Sequence, residues 1–444
     1  MPLRDILVTA IVFGSLPFIL RRPHVGILMW VWISVMNPHR LAWGFAWDFQ
    51  FAALIAGVTL VSVVINTRER QPFPITGVTF ALLMFAGWTL VTTWFAFYPG
   101  EAYAKWTGLM KTMLMAALIP VVFRRHDHIR LLIWMIVISL GYYGAKGGVW
   151  TLLVGGENRV WGPPNTYIED NNALAVALIM IIPIMRYLQL TTSRVYVKLG
   201  LAGMMVLSAV SALGSHSRGA LIAIIATSLY FCWKTKHRLQ VLLVLMLAAP
   251  IALSILPEHW YSRMDTITNY EQDSSANMRF NSWGTMLNIA KDRPLVGGGF
   301  EVATQEVYNK YSPDLSFPPQ VAHSIYFQAL GEHGFVGLVL YLWLYFMAWR
   351  QASAVMRLTR GRPDLAWAHD FGLMMHVTLV AFATGGAFLS LILYDVPYFL
   401  LMALVATRVV VDRELRKDTQ PAIHGASQGV SALPHATAPT VRTG

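Results

Sequence analysis

The feature that most limits this chain is a rhythm of long apolar runs broken by short basic connections. Apolar runs recur near residues 3–20, 25–37, 50–66, 75–97, 107–123, 131–150, 172–188, 198–214, 219–233 and 240–257. They resume near 323–349, 371–394 and 396–411, after a polar stretch at 258–322. A helix needs about 20 such residues to cross the hydrocarbon core of a bilayer. Of the 444 residues 56% are apolar and 13% charged, about half the charge of a soluble domain. Such a chain cannot clothe a water-facing surface of its size. The sequence therefore predicts an all-α polytopic membrane protein and argues against a soluble enzyme.

The runs at 3–20 and 25–37 are short. The first is either a true span or a membrane-lying or re-entrant piece, which gives twelve transmembrane helices, with thirteen as the alternative. Arg21-Arg22 follows it with no small-residue cleavage site, so it does not read as a cleaved signal. The predicted organisation is transmembrane helices over 1–257, a large periplasmic loop with helices over 258–322, further transmembrane helices over 323–411, and a disordered cytoplasmic tail over 412–444. No internal repeat is evident.

The net charge of +11 is placed by topology. Alternate connections hold Arg21, Arg22; Arg68, Arg70; Arg124, Arg125, Arg130; Arg186, Arg194, Lys198; Lys234, Lys236, Arg238; Arg350, Arg357, Arg360, Arg362; and Arg408, Arg413, Arg416, Lys417, Arg442. That is 22 of the 34 Lys and Arg. The positive-inside rule puts this set in the cytoplasm and the 258–322 loop outside. No basic stripe is interleaved with aromatics on a soluble domain, so nucleic acid is not an expected partner. The single cysteine, Cys232, excludes an intramolecular disulfide and any Cys-based metal cluster.

Ionisable groups are costly in a span, so those near span ends invite a functional question. Four places stand out, all on the outer side. Ser215-His216-Ser217-Arg218 joins two spans with almost no loop, and Arg218 opens a helix whose first N–H groups are unpaired, an anion-binding arrangement. A snorkelling interfacial arginine is the plainer reading. In the large loop, Ser274, Ser275 or Asn277 can cap a helix running to about Lys291, with Arg279 and Trp283 on one face. There Arg279 is otherwise one surface charge on an amphipathic helix. The Gly297-Gly298-Gly299 turn after it lacks the Lys-Ser/Thr of a nucleotide loop. His323 marks the return of the loop to the membrane, and an imidazole can take a proton from a hydroxyl; Tyr326 follows one turn on. Lys146 lies inside an apolar run and must face a wet cavity or a partner, or else the flanking Gly144 and Gly148 simply let helices approach closely. Asp170-Asn171-Asn172 opens the next span. No HExxH, CxxC, EF-hand or GxSxG pattern occurs, and Glu271-Gln272-Asp273 is only a weak approach to an acidic metal–nucleotide motif.

A large outer loop before the last spans, Arg218 just past a span end, the Arg279-to-Trp283 helix, the Gly297–Gly299 turn and His323-Ser324 followed by Gly331-Glu332-His333-Gly334 and Gly337 resemble the bacterial O-antigen ligases. These form a superfamily with the O-antigen polymerases. Lys146-Gly147-Gly148 and Asp170-Asn171-Asn172 look more like the exosortase-associated O-glycosylation ligase branch. The resemblance covers most of the chain, through short motifs. It implies a GT-C-type fold, an O-antigen donor on undecaprenyl pyrophosphate, a lipid A–core acceptor, and inverting, metal-independent transfer at the periplasmic face of a Gram-negative inner membrane, with no cofactor. By matching positions it makes His323 the general base and Arg218 and Arg279 the pyrophosphate ligands. Lys146, Asn172, His216, Ser217 and Tyr326 are the expected substrate contacts around them.

The residue types suit that chemistry. Two guanidinium groups can hold a departing diphosphate without a metal, and a neutral imidazole can take the proton of an attacking alcohol. The apolar spans would leave a lateral groove for the lipid tail. Within the same class the sequence leaves open an O-antigen polymerase or a protein O-glycosylation ligase. A lipid-linked sugar flippase or transporter is the alternative from another class. It predicts mid-membrane charges and repeat symmetry.

Overall fold

The computed structural model describes residues 3–428 except 236–237, 255–256, 259 and 262–273. Among these residues every regular element is helical. The principal helices are α1 (Leu3–Arg21), α2 (Pro23–Val31), α3 (Phe51–Ile65), α4 (Gly77–Trp94), α5 (Pro99–Val122), α6 (His126–Leu153), α7 (Asn171–Thr191), α8 (Val195–Leu213), α9 (Arg218–Lys234), α10 (Arg238–Ser254), α11 (Ser274–Asp292), α12 (Gln305–Tyr311), α13 (Ile325–Leu358), α14 (Ala366–Gly386) and α15 (Asp395–Gln428). Each apolar run of the sequence has become one helix. The protein is an all-α polytopic membrane protein, with seven described helices long and apolar enough to cross a bilayer and shorter apolar ones at 23–36 and 51–65.

The two helix ends of the bundle differ. One carries the basic connections; the other carries the 258–322 segment and is called the loop face below. The first helix settles into this frame at both ends. At the loop face the Asp5 carboxylate accepts the Ala46 N–H at 2.8 Å. At the basic face Ser62 Oγ and Asn66 Nδ2 donate to the Ile19 and Leu20 carbonyls at 2.5 and 2.6 Å. α1 is thus held at both ends and packs beside α3, and it is one of the helices long and apolar enough to cross a bilayer.

Burial separates core from rim. α7 is apolar all round, and 78% of its apolar window is buried, as expected of a helix enclosed by others. It packs on α6, α8 and α14, and α14 in turn carries α9 and α13. α6 meets α8 through small residues. A Cβ on Gly144, Gly147 or Gly148 would lie 2.2, 2.3 or 2.2 Å from Ser208 Oγ, Ser211 Oγ or the Leu207 carbonyl oxygen. The glycines thus serve close helix approach.

Over the bundle, α11 lies against α13. The join is made by backbone. α13 breaks at Gly334 (φ 70°, ψ −174°), which frees the carbonyls before it. The N–H groups of Gly298 and Gly299 donate to Gly331 O and Glu332 O, each at 2.8 Å, and Phe335 N–H donates to Pro294 O at 2.8 Å. A Cβ on Gly297 would sit 2.5 Å from Gly331 O. The glycine turn that reads as flexible backbone in the sequence is a fixed joint, plugged into a helix kink.

The last helix differs from expectation. Residues 412–428, expected as part of a disordered tail, continue α15 to Gln428. Arg408–Asp412 and Glu414–Lys417 pairs, each at 2.8 Å, support its extension past the apolar part. Residues 429–444 lie outside the described ones, as does the 262–273 part of the loop.

Candidate functional site

Three helices begin at one place on the loop face, each with its own polar cap. Asp170 accepts the N–H of Asn172 and Ala173 at the start of α7, at 2.9 and 3.3 Å. Ser217 accepts Ala220 N–H at 3.1 Å at the start of α9. Ser324 caps α13. Asn171 Nδ2 donates to the Ser215 carbonyl at 2.6 Å, which ties the first two starts together. The segment after α14 links the others. Ser390 Oγ accepts the His323 N–H at 2.9 Å, and a Cβ on Gly219 would meet the Phe388 side chain at 3.1 Å. Three helix N-termini directed at one region favour an anion there.

His323 sits in the turn immediately before α13 with a left-handed backbone (φ 45°). That conformation is strained for a residue with a Cβ and is held by the Ser390 bond. Its ring is half-buried. Burial first, and the Arg279 guanidinium second, hold the imidazole below its ordinary value near 6.5, while Asp170 works the other way. The charges of Arg279 and Asp170 thus act on the ring from different segments of the chain, in opposite directions.

Arg279 reaches that position because α11 is anchored one turn further on. Trp283 stacks on Phe327 at 5.0 Å between centroids and 5° between planes, and its indole N–H donates to the Ala322 carbonyl at 2.8 Å. Such a ring pair adds about 0.5–1.5 kcal/mol beyond area burial. Arg279 and Trp283 share a helix face, so seating the tryptophan beside Ala322 puts Arg279 on the side of α11 that meets the start of α13. The Arg-x-x-x-Trp spacing is thus an anchor and the group it positions. Arg218 opens α9 between its Ser217 cap and Gly219 on Phe388, half-buried.

The remaining expected contacts carry bonds within the protein. His216 is buried, with φ 58°, and its Nε2 pairs with the Gly156 carbonyl at 2.8 Å. It braces the loop after α6 rather than facing outward. Ser217 is buried in its capping role. The Asn172 side chain is bonded to Asp170 at 2.9 Å. Tyr326 donates to the Ala383 carbonyl at 2.8 Å and ties α13 to α14. Lys146 is on the exposed face of α6 with Val149 and Trp150, away from the glycine seam. Sequence reasoning missed Ser390, 67 residues from His323, because a lone serine in a short connection carries no signal. It also left Lys105 and Glu301 unmarked; they pair at 2.7 Å.

Two cavities adjoin the site. One, of about 210 Å³, has Ser390 and Ala322 in its wall together with Lys105, Tyr167, Glu301, Gln328 and Glu332. The other, of about 270 Å³, is an apolar groove between α13 and α14 that starts at Ile325 and Tyr326 and runs to Trp349.

A wholly helical, multi-pass membrane protein with basic and imidazole groups gathered on one face is the class that fold and site define. Residues 203–342 match the family model described as O-antigen ligase, and residues 3–193 match a family of unknown function (DUF5935). Over 203–342, less than half of the chain, the sequence is thus similar to the O-antigen ligase/polymerase superfamily. No curated protein matches the sequence. The matched stretch runs from α8 to the upper part of α13, and so contains Arg218, Arg279 and His323.

Proposed function

We propose that the protein is an O-antigen ligase of the GT-C type. It moves a polysaccharide from undecaprenyl pyrophosphate to a sugar hydroxyl of lipid A–core at the periplasmic face of a Gram-negative inner membrane. The observation that carries this reading is the placing of His323 at a strained turn before α13, fixed by Ser390 and beside the Trp283 anchor of the helix that carries Arg279, within the stretch matched by the O-antigen ligase model.

The step needs no redox or nucleotide chemistry. The acceptor hydroxyl oxygen attacks the anomeric carbon from the side opposite the diphosphate, and a new C–O bond forms. His323 takes the hydroxyl proton as that bond develops. The bond from the anomeric carbon to the phosphate oxygen breaks, and its electron pair leaves with the lipid diphosphate. One displacement inverts the anomeric centre. Arg218 and Arg279 neutralise the growing negative charge, and each presents a rigid fork of donors. General-base help is worth about 10²–10⁴ in rate, and loss of one charge-stabilising donor about 10²–10³. The apolar groove lined by Ile325 and Tyr326, which follow His323-Ser324 in the chain, suits the polyprenyl tail.

Replacing His323 or Arg218 with Ala is expected to abolish ligation while the protein still inserts. Lipopolysaccharide gels from cells lacking their own ligase provide the readout. Normal O-antigen ladders from both variants, at normal expression, would overturn the assignment. The second reading is an O-antigen polymerase, favoured by the superfamily shared by both activities. Supplying purified lipid A–core separates the two, since a polymerase extends only lipid-linked chains.

A further inference from the structure

A cavity of about 530 Å³ lies among the first helices, and none of its lining residues belongs to the site described above. It exists because α3 and α5 each pack on α2 and leave a gap between them. Its volume falls within the roughly 300–1,000 Å³ of whole-ligand pockets. Trp30 of α2, the 39–50 connection at the loop face, one side of α3 and Lys111 of α5 line it.

The polar end is rich in donors. Arg40 gives one N–H to the Trp47 carbonyl at 3.3 Å, and its guanidinium lies 5.2 Å from the Trp47 ring centroid. The ring steadies the guanidinium and leaves its other donors for a ligand. Lys111 lies inside the apolar run at 107–123 and has no ion pair or hydrogen bond with any described residue. A cation in such a run is costly unless it meets a wet cavity or a partner. Trp30 is 6% exposed, and its indole N–H is buried in the wall without a hydrogen-bond partner, as is His39 Nδ1. His39 adds no charge at pH 7, since burial first and Arg40 second hold its imidazole down to about 4. Against Arg40 and Lys111 stands one carboxylate, Asp48, so the cavity carries one positive charge in excess.

The other end is apolar and follows α3. Ala53, Gly57 and Leu60 lie along one side of that helix. A Cβ on Gly57 would meet nothing within 4 Å, so the space over it is open. Leu60 and Leu114 border this end and are 37% and 48% exposed, as side chains facing lipid are.

We propose that this cavity binds one anionic phospholipid of the leaflet at the loop face, with its phosphodiester at Arg40 and Lys111 and an acyl chain along Gly57 of α3. The single phosphodiester charge balances the excess cation, and guanidinium and ammonium both suit phosphate oxygens. The Trp30 indole N–H is a further donor beside them, and Asp48 is an acceptor for headgroup hydroxyls. A free phosphate would satisfy the polar end alone and leave the α3 wall bare. The lipid covers both. The site is independent of the transfer chemistry proposed above.

The test uses the full-length protein in detergent, with native mass spectrometry counting bound lipid. The probes are phosphatidylglycerol, phosphatidylcholine with the same chains and no net charge, and soluble glycerophosphate. One phosphatidylglycerol should bind at least about tenfold tighter than phosphatidylcholine, and glycerophosphate should not displace it. Lys111→Gln and Arg40→Gln should each weaken that lipid about tenfold, the effect of one lost charge-assisted bond, while Lys111→Arg stays within about threefold. Gly57→Phe should weaken it at least about fivefold by filling the path of the chain. That substitution removes a glycine from a helix interior, so its melt without lipid should be no lower than that of the wild type. If Lys111→Gln does not fold, Arg40→Gln and Gly57→Phe decide. Equal binding of the two lipids, or unchanged phosphatidylglycerol binding in the glutamine variants, overturns the proposal. Displacement by glycerophosphate, or an unchanged affinity in Gly57→Phe, overturns it too and makes the ligand a free phosphate ester.

Discussion

At the scale of single residues, two opposite charges act on one imidazole. Arg279 disfavours protonation of His323 and Asp170 favours it, with burial outweighing both. In the proposed reaction His323 acts as a base in its neutral form, so activity is expected to hold at neutral pH and to fall as pH drops through the lowered pKa. The acid limb of the kcat/KM profile is expected below the ordinary imidazole value near 6.5. Arg279→Gln removes a depressing charge and moves that limb up towards 6.5. Asp170→Asn keeps a capping side chain but removes the opposing charge, and moves it down. A wild-type limb at or above 6.5, or shifts of the same sign in the two variants, would exclude His323 as the titrating base. The sequence marked His323, Arg218 and Arg279 because charge at a span end is chemically costly. It could not tell a ligand contact from a brace. His216, Ser217 and Tyr326 have the right residue types in the right places, yet their polar atoms serve Gly156, α9 and Ala383. Which way a short polar side chain turns depends on partners 57 to 60 residues away, as with Tyr326 and His216.

At the scale of elements, the spans were legible and the joint was not. Long apolar runs fix the helices almost unaided, because a bilayer leaves the backbone no other partner. The contact between the Gly297–Gly299 turn and the α13 kink is a pairing of backbone groups, and no side-chain pattern encodes it. Glycine is demanded there on two grounds. Gly334 needs positive φ, and a Cβ on it would lie 2.3 Å from the Leu295 carbonyl oxygen; Gly297 has φ 63° and the Gly331 oxygen at 2.5 Å. Gly155 has a similar φ of 61° with nothing within 4 Å. Gly155→Ala should therefore cost only the left-handed penalty of about 1–2 kcal/mol. Gly297→Ala and Gly334→Ala should each cost more than about 3 kcal/mol, since they also part α11 from α13. Tryptophan-fluorescence melts of the three variants in one detergent are the check, and equal losses would show that the joint contributes nothing. Trp283→Ala belongs to the same scale. It leaves Arg279 and His323 in the sequence but removes the anchor that brings them together, so transfer should fall at least tenfold while Trp283→Phe, which keeps the ring, retains most of it.

At the scale of the whole molecule, the ligase reading requires the charged site and the lipid-facing bundle to be continuous, because the proposed polyprenyl diphosphate donor would have one end in each. The groove between α13 and α14 is the candidate for that continuity. It begins at Ile325, just beyond His323-Ser324, and passes Tyr345, Val380 and Phe346 before reaching Trp349. Its walls are almost wholly apolar, so a hydrocarbon chain leaving the bilayer meets no polar group there, and they give no preference among sugars. Val380 is half-buried and borders the groove. Val380→Trp should fill it without touching a polar group of the site. Donor KM for a full-length polyprenyl carrier should rise at least tenfold, while a donor with a tail of two isoprene units, too short to run down the groove, should be used as well as by the wild type. Acceptor KM should not move, since the substitution alters no polar group. The pattern is specific to tail length. If both donors suffer alike, the substitution has damaged the fold. If neither does, the tail lies along another face of the bundle, and the groove between α13 and α14 is only a gap between helices.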